Sequence, residues 1–257
     1  GTCMQSILTL QEICYSYHTL QKEVPAIQKI SFDLHQGEFL SIIGPSGCGK
    51  STLLNLICRL QKPDSGEIFY RGKEDIPIGY MLQRDHLLEW RTVTQNVLLG
   101  LEMQKKDTKE AREKAEDLLK TYQLWEFRDA YPRQLSGGMR QRAALIRTLL
   151  MDPDLLLLDE PFSALDYQTR LSVSDDIYRI IRKEGKSAIL VTHDISEAIS
   201  MSDRVLILSA CPARVLTCIP MLFADRQAAP LEKRSLPEFN EYFNRIWREL
   251  HEAKQTA

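Results

Sequence analysis

One stretch limits what this chain can fold into more than any other: Gly44-Pro45-Ser46-Gly47-Cys48-Gly49-Lys50-Ser51-Thr52. It fits the phosphate-binding spacing G-x-x-x-x-G-K-[ST]. The apolar run at residues 39–43 reads as a buried strand, and Leu53, Leu54, Leu56, Ile57 and Leu60 recur at helical spacing. Strand, loop and helix follow in the order the chemistry needs. Glycine lets the backbone approach an anion with no Cβ in the way. The loop N–H groups and the helix N-terminus then face that anion. At this spacing Lys50 reaches the β- and γ-phosphates of a nucleotide and the Ser51 hydroxyl ligates Mg²⁺. Thr52 follows on the α-phosphate side. A chance glycine-rich turn would leave the agreement of strand, lysine and helix unexplained.

Further strand candidates lie at residues 7–10, 30–34, 66–70 and 78–82. Tyr15 and Tyr17 fall between the first two. Either offers a flat face to an adenine ring; the alternative for each is an ordinary half-buried strand tyrosine. From Thr92 to about Met151 the pattern turns helical. Asp107-Thr108-Lys109-Glu110 resembles a capping box, and Gly137-Gly138 precedes a second helix that Pro153 stops. Leu155-Leu156-Leu157-Leu158-Asp159-Glu160 is an apolar strand ending in two acids, residues 187–194 end in His193 and Asp194, and residues 204–208 form another strand. Strands alternating with helices predict an α/β fold with a parallel sheet covered on both faces. Ligands of such sheets bind at the carboxyl ends of the strands. The loop at 44–50, Asp159, Glu160 and His193 are therefore expected to converge. Residues 220–237 read as a looser linker. Ser235-Leu236-Pro237-Glu238 then reads as a capping box opening a helix whose apolar stripe is Leu236, Phe239, Phe243, Ile246, Trp247 and Leu250.

Composition matters at four points. A hydrophobic content of 44% over 257 residues is enough to bury a sizeable core, as one large domain or two small ones. A net charge of -2 gives no electrostatic case for nucleic acid. No apolar run approaches the ~18–20 residues that span a bilayer, and the first residues lack a charged segment followed by an apolar one, which predicts no secretory signal. The six cysteines form no C-x-x-C pair and have no zinc spacing, so they read as free thiols. Cys48, at a helix N-terminus, is the one whose thiolate would be favoured.

Asp159, at a strand end beside a phosphate loop, is placed to help hold Mg²⁺ through water. Glu160 points elsewhere and is placed to orient and deprotonate an attacking water. Leu135-Ser136-Gly137-Gly138-Met139-Arg140-Gln141 is a second anion site: a serine hydroxyl and glycine N–H groups at a helix N-terminus. It is also an ordinary helix cap. Two phosphate-type sites in one chain mean either two nucleotides per chain or two copies that share them.

Leu135–Gln141 resembles the signature motif of the ATP-binding cassette (ABC) ATPases, and the resemblance extends over about residues 5–220. It implies a P-loop NTPase, RecA-like core with a parallel sheet, an antiparallel β subdomain and an inserted helical subdomain at about 84–150. Residues 1–220 would form the ATPase domain and 221–257 a C-terminal extension with an amphipathic helix. The resemblance implies ATP and Mg²⁺ as ligands, with Ser136, Gly137, Gly138 and Gln141 of one subunit covering the γ-phosphate held by the other. Gln83 resembles the glutamine that touches Mg²⁺ and senses the permease. Ser163-Ala164-Leu165-Asp166 resembles the D-loop and His193 the switch histidine on the γ-phosphate.

Residues 87–93 and 203–209 resemble more closely the importer ATPases of the nitrate, sulfonate, taurine and thiamine-precursor group, although that group often has proline where Glu89 stands. The resemblance then implies permease subunits as partners, a solute-binding protein, a second and identical ATPase subunit, and a peripheral place on the cytoplasmic side of the cell membrane. Residues 84–90 would face the permease; the alternative for Trp90 is helical core. Two rivals are a soluble ABC ATPase acting on DNA or ribosomes, and a regulatory ATP-binding subunit. The chain has no zinc spacing, sustained heptads or further regulatory domain to favour either.

Overall fold

The computed structural model describes residues 5–47, 49–72 and 75–255. Two sheets organise them. β1 (Ser6–His18) and β2 (Glu23–His35) form a long antiparallel hairpin, and β4 (Ser65–Tyr70) pairs with the other edge of β1. The second sheet has the order β5-β6-β7-β3-β8-β9. Its strands β3 (Phe39–Ile43), β5 (Ile78–Met81), β6 (Leu155–Asp159), β7 (Ser187–Val191) and β8 (Arg204–Leu208) are parallel, and β9 (Val215–Pro220) closes one edge antiparallel to β8.

Every residue of β3 and β7 is buried, as a strand covered on both faces requires. Successive side chains of one strand feed opposite cores. Leu156 and Leu158 of β6, with Ala188 and Leu190 of β7, pack against α2 (Val93–Met103), α3 (Lys109–Thr121), α4 (Gly137–Leu149) and α5 (Tyr167–Lys183). Leu155, Leu157, Ile189 and Val191 turn the other way, toward α1 (Lys50–Ile57) and the antiparallel hairpin. Leu60 lies beyond the end of α1 and is exposed.

A third core joins Ile43, Val205, Ile207 and Ile219 to α6 (Ile195–Met201) and to the tail helix α8 (Pro237–Gln255). Phe239 and Ile246 of α8 are buried there, and Tyr242 packs beside them. Trp247 belongs to another face: it is half-exposed and stacks on His251 at 4.3 Å. We expect Ile246→Val to cost about 0.5–1.5 kcal/mol in denaturant unfolding, and no change would mean the tail does not pack.

Three local expectations need correction. Residues 220–237 are not loose: Met221, Phe223, Ala228 and Ala229 are buried, and α7 (Pro230–Lys233) lays the Lys233 ammonium over the rings of Tyr178 and Phe223. Thr108, not Asp107, caps α3 by accepting from Ala111 N–H, because Asp107 is held by the Arg112 guanidinium at 2.8 Å. Ser235 donates to the Glu232 carbonyl at 2.8 Å and α8 begins at Pro237, so Ser235 is not its cap.

Candidate functional site

β3 ends at Ile43, and the chain turns through residues 44–49 into α1. Gly49 precedes the helix at φ 91°, where a Cβ would stand 3.0 Å from the Ala26 carbonyl oxygen. That position needs glycine on both counts. Lys50 is buried, and its Nζ donates to the Gly44 carbonyl at 2.9 Å, closing the loop on itself. Pro45 is partly buried, while Ser46 and Gly47 are exposed. Cys48 lies outside the described residues. Among the described residues the thiol beside the loop is Cys211, which donates to the Gly47 carbonyl at 2.5 Å and whose pKa burial pushes up.

The loop forms the floor of a cleft of about 540 Å³, a volume in the range of small-ligand sites. Tyr17, Val24, Pro25 and Ala26 of the hairpin line it together with Lys50, Ser51, Thr52 and Glu160. Of the two tyrosines, Tyr17 faces the cleft, with its hydroxyl paired to that of Thr52. Tyr15 packs against the core and meets the Tyr17 ring edge-on at 5.2 Å.

Asp159 is the last residue of β6 and Glu160 the first beyond it, and their carboxylates take different partners. Asp159 Oδ1 accepts from the Ser51 hydroxyl at 3.3 Å, and Oδ2 accepts from the Tyr80 phenol at 3.4 Å. Burial pushes the Asp159 carboxyl above its usual range; the Ser51 hydrogen bond opposes this, and the charge of Glu160 adds to it. Tyr80, held neutral by its own burial and by Asp159, is a neighbour the sequence did not single out. Glu160 sits at φ 46°, a left-handed conformation rare for a residue with a side chain. Its backbone N–H donates to the Val191 carbonyl at 2.9 Å, and its carboxylate meets His193 Nδ1 at 3.0 Å. Ser51, Gln83, Asp159 and Glu160 share a smaller cleft of about 330 Å³ with Leu82, Arg84 and His86. Ser51, Gln83 and Asp159 each offer an oxygen, the donor type that suits Mg²⁺.

The segment expected to form a second anion site lies apart. Ser136 caps α4 by accepting from Met139 N–H at 3.2 Å. Gly137 and Gly138 form the first turn; a Cβ would stand 3.1 Å from Leu165 at Gly137 and 3.2 Å from Val173 at Gly138. No residue of 136–141 lines the cleft at Lys50. Gln141 is 4% exposed, because it falls on the face of α4 that also buries Ala144, Leu145 and Thr148. It lines a cleft with Gly137, Gln83, Arg84 and Arg140. Asp166 caps α5, accepting from Thr169 N–H at 3.0 Å and from the Thr169 hydroxyl at 2.7 Å, and it lies outside the clefts that hold Lys50 and Gln83.

An ion network joins this helix to the segment after Gln83. Arg140 donates to both oxygens of Asp85, at 2.8 and 3.2 Å, and to Glu89 at 2.8 Å. Burial works to raise the Asp85 carboxyl, but the Arg140 and Leu87 hydrogen bonds prevail and hold it below its usual range. Arg147 donates to the carbonyls of Asp85 and His86. Trp90 stands 73% exposed, not in the helical core.

Comparisons with known proteins identify the family. The family profile described as ABC transporter matches residues 27–163. The chain is 43% identical over 252 residues to the uncharacterized ABC transporter ATP-binding protein YtlC of Bacillus subtilis, covering 96% of each. It is 42% identical over 214 residues to the formylaminopyrimidine import ATP-binding protein ThiZ of Halalkalibacterium halodurans, covering 83% of this chain and 84% of that one. Among solved structures it resembles the dimeric, post-hydrolysis state of the ATP-binding cassette MJ0796 bound to ADP and Pi. That match has a TM-score of 0.68 and 30% identity, and it covers 84% of this chain and 99% of the other.

Proposed function

The chain belongs to the ABC transporter ATP-binding family and is an ATPase; from that premise we propose that it is the ATP-hydrolysing subunit of an importer for small anionic or organic solutes. One observation carries the shared-site part of this reading. Ser136 and the glycines of α4 lie outside the cleft that holds Lys50 and Glu160, so a second copy is needed to bring a signature segment to that cleft.

Each residue then has a task. Backbone N–H groups of Gly44, Pro45's neighbour Ser46, Gly47 and Gly49 hold phosphate oxygens, and the Lys50 ammonium places its charge on the β- and γ-phosphates. Thr52 lies on the α-phosphate side, and the Tyr17 ring stacks on the adenine. Ser51, Asp159 and Gln83 would hold Mg²⁺, which when bound neutralises charge on the phosphates. Glu160 accepts a proton from the attacking water, and His193 orients it and contacts the γ-phosphate. Ser136, Gly137 and Gly138 of the second copy donate to the same γ-phosphate, with Asp166 at the boundary between copies. The chain supplies position and charge more than covalent chemistry.

Nucleotide-dependent closure of the pair would drive the permease, because only the ATP-bound state gains the contacts to the γ-phosphate. The exposed Trp90 and the segment 84–90 form the surface assigned to that permease. No helix among the described residues is long and apolar enough to cross a membrane; the permease chains carry the transport path and hold this subunit peripherally on the cytoplasmic side. The importer reading draws on the named function of the formylaminopyrimidine relative. A solute-binding protein completes the system.

Tagged Glu160→Gln protein, extracted gently from its own cells with ATP, tests the assignment. A multi-span permease in the eluate supports it, and ribosomal or DNA-repair proteins without a permease would replace it by the soluble alternative. Tyr17→Ala should weaken nucleotide binding by up to about tenfold, the scale of one lost aromatic stacking contact. Tyr17→Phe should keep most of the affinity. Equal affinities of the alanine variant and the parent would take Tyr17 out of the adenine site.

A further inference from the structure

His193 is exposed, yet the residues on either side of it are tied down. Thr192 is buried. Its hydroxyl donates to Glu197 Oε2 at 3.0 Å and accepts the Asp194 N–H at 3.0 Å. One small side chain thus braces both ends of the peptide that carries the imidazole. Asp194 in turn caps α6 by accepting from Glu197 N–H at 3.1 Å. Arg170, in the first turns of α5, crosses to this group and donates to Asp194 Oδ2 at 3.0 Å and to Glu197 Oε2 at 3.3 Å.

Such a network is hard to explain by stability alone. Glu197 is 5% exposed, and a carboxylate held out of water costs several kcal/mol of desolvation before its partners compensate. Burial raises its pKa, the Asp194 charge adds to that, and the Thr192 and Arg170 contacts oppose it. Apolar side chains of similar volume often serve such a position as well or better. What an ion pair adds is direction. Two donors converge on one oxygen of Glu197, which fixes the Thr192 rotamer and hence the path of the chain into His193.

We propose that Thr192, Glu197 and Arg170 are positioning residues for His193. They hold the peptides on both sides of it so that the imidazole stays against Glu160. Arg170 ties that position to α5, the helix that Asp166 caps and that Val173 packs against Gly138. The inference rests on the reading of His193 as a residue of the reacting site.

The test is steady-state phosphate release by the full chain over a range of MgATP concentrations. Thr192→Val and Arg170→Met are each measured alone and in a His193→Ala background. Each single variant should lower the rate about tenfold, the scale of a misplaced catalytic group, with KM unchanged. In the His193→Ala background neither should cause a further loss, and Thr192→Ser should restore the parental rate. Equal losses in both backgrounds would mean that the network serves only to hold the start of α6, and would overturn the proposal; so would single variants at the parental rate. His193→Ala turning over like the parent would remove the underlying reading itself, a separate and recognisable failure. If Thr192→Val melts early, Arg170→Met carries the test, since its partly exposed side chain leaves no buried cavity.

Discussion

Replacing Glu160 with glutamine is expected to lower ATP turnover by ~10²–10⁴-fold, the contribution of one general base, while MgATP affinity stays unchanged. The geometry separates the two effects. The Glu160 carboxylate makes its hydrogen bond to His193, not to Lys50 or Ser51, so the phosphate-binding groups keep their own contacts. Glutamine preserves the shape and the left-handed backbone but cannot take a proton. A chain that holds ATP without cleaving it should also accumulate as a dimer. Light scattering would show about twice the subunit mass with MgATP and the monomer with ADP. Parental turnover in this variant would end the catalytic assignment; lost affinity with lost turnover would move Glu160 to the binding machinery.

Lys50→Ala should act on the other quantity. A hydrogen bond to a charged group contributes about 1.5–3 kcal/mol, so nucleotide affinity should fall roughly 10- to 150-fold. Lys50 also bridges the loop to the Gly44 carbonyl, and some of the loss will come from a looser loop. Lys50→Met keeps the aliphatic stem and removes the ammonium, which separates the two contributions. Calorimetric titration with a non-hydrolysable ATP analogue reads both variants, and an affinity equal to the parent's in each would contradict the phosphate assignment.

Much of the site was legible because the core sheet is buried on both faces. Its strands read as unbroken apolar runs, and their polar ends marked the edge where Ser51, Asp159, Glu160 and His193 meet. Edges and caps were harder. β9 alternates only weakly between Val215 and Pro220 and escaped notice. The cap of α3 shifted by one residue because Arg112 claimed Asp107. The burial of Gln141 was available in principle: positions 141, 144, 145 and 148 share one helical face, and all are buried. The Arg140–Asp85–Glu89 network was not, since its partners stand more than fifty residues apart and nothing local links them. The same holds for the choice between Tyr15 and Tyr17, which a register shift between those two positions in the hairpin decides.

The two glycines that open α4 bear on how mutational data for this protein should be read. Each has a neighbouring side chain just over 3 Å from where a Cβ would be. A screen that scores growth or transport can find either position intolerant through this crowding alone, whether or not their N–H groups ever meet a phosphate. Intolerance at residues 137 and 138 is therefore not a functional signal by itself. Only a variant whose melting temperature is intact, or whose crowding is relieved by a smaller residue at 165 or 173, can say which demand keeps the glycine there.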